Sequence, residues 1–387
     1  MGRIRRAPTA QGLFVGYKMS IRTEPMTVNI GPQHPSTHGV FRIRVTFDGE
    51  DIVEAEPILG YLHRGTEKLA EERNYVQIVT LTDRLDYTAS MTNNQAYCLG
   101  VEQLLGVEPP IRAKYLRTMT AELQRIASHL IAVGFFLQEL GTFGGTPLMY
   151  AFRARERILD MFEMLCGARI TLSYMRPGGV FWDPPAEFWS SLDQFLKEFP
   201  DDLSEMEDLL LNNEILMVRT RQVSPLSAEE AINNSVSGPV LRASGVKMDL
   251  RVLDPYDAYS MVDFDIPIGS VGDNYDRFWV RMQEVRQSLR IVEQCVEQIE
   301  PGDYRLDLPR VLRAPAGAES YGKVEAPKGE LGFYLFSDGG VSPYRMKIRS
   351  PSLINLSVID RLLVGWKLAD MIVSLGSIDL NMGEVDR

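Results

Sequence analysis

The stretch "GPQHPSTHGV" at residues 31–40 holds His34 and His38, two of the four histidines in a chain of 387 residues. An imidazole donates, accepts and changes charge near neutral pH, so two of them on one turn suit metal ligation or proton delivery. Pro32 and Pro35 exclude a helix there, so the spacing does not put both rings on one helix face. The same residue types also serve a turn simply by satisfying its backbone groups. A second group is Arg84, Asp86 and Tyr87 in "TDRLDYTASM". It offers a fixed positive charge, a carboxylate and a phenol that stays neutral below about pH 10. Such a phenol can donate to a carbonyl oxygen without carrying charge into an apolar site, and the arginine can bias the potential of a nearby redox centre. Read alone, the stretch is equally a helix start with a core tyrosine.

Other polar groups carry less. His63, Arg64 and Glu67 lie in "GYLHRGTEKL", where Arg64 and Glu67 are spaced to pair on a helix. His129 falls in an apolar stripe and reads as a core histidine with a partner. The Gly-rich "VSGPVLRASGVKMDLR" lacks a phosphate-binding loop, and no complete hydrolase signature occurs. The three cysteines, Cys98, Cys166 and Cys295, form no CxxC pair, so the chain cannot by itself hold an iron–sulfur cluster or a Cys-rich zinc ion. Their sparse, odd count favours a reducing compartment. A net charge of −11 disfavours a nucleic-acid partner.

The elements that must position these groups are legible in outline. Residues 26–59 alternate apolar and polar positions about Asp48-Gly49, which predicts a hairpin and puts the two histidines on a loop between strands. Helical patterning starts near Leu62 and runs to Gly106. A long helix is predicted from Ile111 to Leu140, with Tyr115, Met119, Leu123, Ile126, Leu130 and Val133 along one face. Further helices are expected over 147–173, 186–219, 272–299 and 357–374. The long ones imply a helical bundle. Residues 301–330, rich in Pro, Gly and Ala, read as an extended crossing segment, and two strands are expected around Asp338-Gly339-Gly340. The domain reading is therefore an N-terminal arm over 1–23 and a β-region with the histidine loop over 24–60. A helical core over 61–300, the crossing segment over 301–330, and a β-hairpin, helix and tail over 331–387 complete it. The longest apolar run, 130–137, is too short to span a membrane.

Taken together, "GPQHPSTHGV", "GYLHRGTEK", "DRLDY", "RIASHL", "AFRARERILDMFE", "LRASGV", "GELGFYLFSDGG" and "GSIDLNMGEVDR" resemble the 49-kilodalton-subunit family of the proton-pumping NADH:quinone oxidoreductases (respiratory complex I). The resemblance runs in order from about Arg22 to Arg387. That family is similar in turn to the large subunit of [NiFe] hydrogenases, which implies an α+β fold with a central long-helix bundle. Those enzymes hold nickel with two CxxC pairs, whereas the matching tail here carries Asn381 and Glu384 at the cysteine positions and ends at Arg387. Soft metal centres need thiolates, so the resemblance implies no nickel and a vacated cavity that takes a quinone headgroup. It implies His38 and Tyr87 as the pair that hydrogen-bonds the headgroup, with His34 shaping the same loop. Arg84 would lie beside a [4Fe–4S] cluster held by a small partner subunit, with NAD handled only by other subunits.

Two departures stand out. Glu139 replaces an aspartate that the family pairs with the loop histidine, which moves the charge by one methylene. Thr171 stands where the family often has a histidine near the cluster, and a threonine does not titrate. The resemblance further implies a membrane-arm partner at the quinone entrance. The location it implies is peripheral, on the cytoplasmic side of a cell inner membrane, or on the matrix or stromal side in an organelle. A non-catalytic, hydrogenase-like scaffold in a ferredoxin-fed or deazaflavin-fed membrane complex is the alternative.

Overall fold

A computed structural model describes residues 24–33, 39–141, 146–211 and 213–387. His34, His38 and the arm over 1–23 lie outside the described residues. The chain opens with an antiparallel meander, β1 (Met26–Ile30), β2 (Arg42–Asp48) and β3 (Asp51–Ile58). The β2–β3 turn falls at Gly49, whose φ of 66° explains the glycine. Ile43, Val45 and Phe47 point inward on β2, as the alternation predicts, whereas Ile52 and Ala55, the buried pair on β3, are three apart because the pairing shifts register opposite Thr46 and Phe47.

Helices follow: α1 (Thr66–Glu71), α2 (Tyr75–Thr82), α3 (Ser90–Leu105), α4 (Ile111–Glu139) and α5 (Thr146–Cys166). The α4 stripe from Tyr115 to Val133 is buried, each such side chain contributing about 1.5–3 kcal/mol relative to exposure. The helix predicted over 147–173 stops instead at Cys166, because Gly167 takes a left-handed conformation (φ 70°). The next residues form a turn in which Thr171 and Ser173 also have positive φ. Two-residue strands β4 (Met175–Arg176) and β5 (Gly179–Val180) precede α6 (Ala186–Leu211) and α7 (Glu214–Thr220). The pair of helices replaces one predicted helix because Asn213 caps a new start, accepting from the Leu216 amide. Short helices α8 (Ala228–Asn233), α9 (Gly238–Ala243) and α10 (Leu250–Leu253) lead to α11 (Asn274–Gln298). α4 is central, with α5, α11, α3 and α14 (Leu368–Ile378) against it, and α6 covers α5.

The C-terminal region corrects two expectations. The stretch read as a crossing segment contains a strand, β6 (Glu319–Ala326), which pairs with β7 (Gly329–Phe336), and β7 pairs with β8 (Arg345–Arg349). The element is thus a three-stranded sheet rather than a hairpin. Its signal was hidden because β6 carries Gly322, where the backbone of α3 at Gly100 comes so close that a methyl would overlap it. The single helix expected over 357–374 is two, α13 (Ile359–Leu363) and α14, interrupted at Gly365 (φ 87°), with a further helix, α12 (Pro351–Leu356), before them. A last turn, α15 (Met382–Asp386), closes the described chain. α+β is therefore the observed class.

Two apolar clusters result. The larger is the helical core with the second sheet. The smaller joins the first sheet to the C-terminal helices, through Phe41, Val45, Leu363, Met371, Leu375 and Met382 among others. This second cluster matters for the site: Gly39, at the described end of the histidine loop, faces Met382, whose Cγ is 3.9 Å from where a Cβ on Gly39 would lie. No helix among the described residues is long and apolar enough to cross a membrane.

Candidate functional site

Tyr87 sits on the turn that joins α2 to α3. Asp86 builds that turn: its Oδ1 accepts from the Thr88 amide at 3.0 Å and the Thr88 hydroxyl at 2.7 Å, an Asx-type turn that fixes the direction of the residue between. The phenol ring lines a cavity of about 260 Å³ and remains 51% exposed. The apolar lining comes from Ile131, Ala132 and Phe135 of α4 with Leu380. The polar lining comes from Glu139, Lys328, Asp379 and Asn381. Burial against these walls, with the Asp86 and Asp379 charges, pushes the phenol above its ordinary value despite Lys328. Tyr87 is neutral and a donor across the physiological range.

Behind the phenol lies a buried ionic cluster. Lys328 Nζ is 2.9 Å from Asp86 Oδ2 and 3.4 Å from Asp379 Oδ2, and donates to the Thr88 hydroxyl at 2.9 Å. Asn381 Nδ2 donates to Asp86 Oδ1 at 2.8 Å, while its Oδ1 accepts from the Gly383 amide and starts α15. Glu384 accepts from the amide and hydroxyl of Ser352. Of the two positions singled out in the tail, Asn381 lines the cavity and Glu384 does not, and the lining as a whole is more apolar than polar.

Burial and the nearby Asp86 charge push Glu384 up to about 8. A carboxyl raised in the folded state favours the fold while protonated, so this contribution is full below about pH 4.5 and fades as pH rises through about 8. Glu384→Gln should flatten stability between pH 5 and 8, read as melting temperature against pH. An unchanged slope would mean that Glu384 is ionised throughout.

The structure brings Tyr87 and Glu139 to the same cavity. The Glu139 carboxylate lies directly over Gly376 of α14, where a methyl would overlap it, so the longer acid is accommodated by the missing side chain opposite. Arg84 and Thr171 do not line this cavity. Arg84 is exposed, donates to the Thr80 carbonyl, and accepts at its own carbonyl from Arg64 at 2.6 Å. Burial and the neighbouring Arg84 charge lower Arg64 from its ordinary value. Asp83 accepts from Ser173 through both amide and hydroxyl, which ties the Arg84 turn to the Thr171 turn.

The expected Arg64–Glu67 pair is not made. Glu67 pairs with Lys347, Arg345 and Arg387, because α1 packs beside β8 and the tail. His63 donates through Nδ1 to the Asp386 carbonyl at 2.7 Å. His129 is buried, with Nε2 2.8 Å from Glu284 Oε2, and burial lowers it against the pull of that carboxylate, which makes it a core residue. Sequence reasoning missed Lys328 and Asp379 as cavity residues. The only local signal was a lysine between Pro327 and Gly329 at a hairpin turn, and its contacts lie 242 residues back along the chain at Asp86 and 51 ahead at Asp379. Two larger clefts, about 590 Å³ beside Arg221 and Trp279 and about 640 Å³ beside Arg176 and Leu308, contain none of the residues selected from sequence.

Comparison with known proteins adds to this geometry. The family described as respiratory-chain NADH dehydrogenase, 49 kDa subunit, matches residues 140–316 and 310–387. A protein of Dehalococcoides mccartyi, named as the D-type subunit of an NADH-quinone oxidoreductase, is 53% identical over 369 residues, covering 95% of this chain and all of that protein. Proteins of the same name from Desulforamulus reducens and Bacillus anthracis are each 49% identical, again over 95% of this chain and the whole of theirs.

Proposed function

The chain belongs to the family of the respiratory-chain NADH dehydrogenase 49 kDa subunit, and from that premise we propose that the cavity beside Tyr87 receives a quinone headgroup. As a family member the chain is part of an NADH-quinone oxidoreductase complex, an oxidoreductase. The observation that carries the finer reading is a neutral phenol, fixed by the Asp86 turn, at a cavity lined by both apolar and polar groups. Binding sites for drug-sized ligands run about 300–1,000 Å³, so the volume here suits a single ring, with an isoprenoid tail left outside.

Quinone reduction consumes two electrons and two protons and yields the quinol. Negative charge develops on the carbonyl oxygens, and donors fixed in advance stabilise it best. Tyr87 supplies one O–H, and His38 supplies the second donor from the loop whose end rests on Met382. Glu139 holds a carboxylate in the same wall for the proton traffic. The electrons arrive from a [4Fe–4S] cluster of a small partner protein, which docks on the surface that carries Arg84 and Thr171. This chain binds no metal of its own in that scheme, and its fold is of the hydrogenase large-subunit type. The complex sits on the membrane through a membrane-arm partner at the quinone entrance, with this chain peripheral on the cytoplasmic side. A passive scaffold has no use for an exposed phenol over a ring-sized cavity, which favours the catalytic reading.

A photoreactive quinone added to the intact complex tests this. Covalent labelling of peptides that contain Tyr87 or Phe135, removed by excess natural quinone, is the expected result. Labelling confined to peptides elsewhere would remove the cavity from the reaction.

A further inference from the structure

Lys328 deepens the quinone reading, on which its assignment rests. Among the described residues, it is the only cationic side chain lining the cavity. It is 3% exposed, and it touches both the turn that aims Tyr87 and the helix end that closes the cavity. Its ammonium reaches Asp86 Oδ2 and the Thr88 hydroxyl on one side and Asp379 on the other. Asp379 holds a left-handed conformation at the end of α14. A charge held between two carboxylates and a hydroxyl cannot swing away, and a buried ammonium acts through a medium of low polarity. We infer that Lys328 is a positioning residue for quinone reduction: it locks the Tyr87 turn to the tail and keeps a fixed positive charge at the cavity lining while the headgroup gains electrons.

The local charges agree with this. Asp379 and Asp86 hold the lysine in its protonated form against the cost of burial. The ammonium and the two aspartates together carry one net negative charge, and Lys328 is the cation that offsets Asp379 and Glu139 in the cavity lining. Removing the lysine leaves that lining more negative still, the wrong direction for a reaction that adds electrons to a bound ring. A residue that merely neutralised Asp86 would be dispensable once Asp86 was neutral, and this separates the two roles.

The experiment compares Lys328→Arg, Lys328→Met and the double variant Lys328→Met/Asp86→Asn in the assembled complex. The double variant keeps the net charge of the trio while removing the cation, and asparagine can still accept from Thr88. Expected for the double variant is a kcat lower by roughly 100-fold, the range for loss of one preorganised charge-stabilising group. KM for quinone should stay within about threefold, NADH oxidation by an upstream artificial acceptor should be unchanged, and the semiquinone radical signal should be weakened. Lys328→Arg should retain most of kcat. Wild-type kcat in the double variant, or a raised KM at unchanged kcat, overturns the inference. If Tyr87→Phe slows the reaction while the Lys328 variants do not, Lys328 alone loses its role. If neither does, the quinone reading falls with it.

Discussion

Replacing Tyr87 by phenylalanine lowers quinone reduction by about 10²–10³-fold while the complex assembles and still oxidises NADH with an artificial acceptor. The hydroxyl is the only group lost. The ring keeps its apolar contacts, the Asp86 turn needs no group from the tyrosine side chain, and half of the ring already faces the cavity and solvent. Structure is therefore preserved and only the donor is removed. Because the phenol is pushed above its ordinary value, the wild-type rate should show no loss of this donor below about pH 10. Steady-state rates with a native and a short-chain quinone check the result. Turnover equal to wild type with both would take Tyr87 out of the reaction.

The second large effect concerns folding. Arg242 is fully buried, donates to Glu284 at 2.8 Å, Glu325 at 2.7 Å and the Met248 carbonyl at 3.0 Å, and lies 3.6 Å from Asp249. Arg242→Met leaves three buried carboxylates without their common partner. Breaking a buried ion pair from one side costs about 3–5 kcal/mol, against a total stability of about 5–15 kcal/mol, so little of the variant should be recovered in the complex. Arg153→Met, which removes an exposed pair with Asp202, should cost no more than about 1 kcal/mol. Thermal melting and the yield of assembled complex measure both, and similar losses from the two would contradict a dominant role for the buried network. The same network predicts acid lability. Against burial, which raises it, Arg125 and Arg251 pull Glu122 down to about 2. Its contribution is complete above about pH 4.5 and disappears as pH falls through about 2.

Legibility followed the range of the interaction. The hairpin at Asp48-Gly49, the α4 stripe and the placement of the histidine loop between two strands all rest on neighbours within a few residues, and these were readable. The charged face of α4 was not. Arg117, Glu122 and Arg125 have the spacing of a solvated helix face, yet all are buried. Their partners, Glu102, Asp257 and Arg251, come from two other helices and a loop. Glu139 became a candidate only through the family resemblance, and only the resemblance lifted Tyr87 above the equal reading of a core tyrosine at a helix start. Lys328 escaped both routes because its meaning comes from Asp86 and Asp379, which folding alone brings to it.

The cavity draws on residues 87–88, 131–139, 328 and 376–381, so nearly the whole chain must leave the ribosome before any of its walls can close. At about 5–20 residues per second, the α4 wall waits many seconds with Phe135 and Leu137 lacking their final cover. A nascent chain of this kind is a natural client for a holding chaperone, and premature termination near residue 370 would yield a nearly complete helical core with no binding site at all.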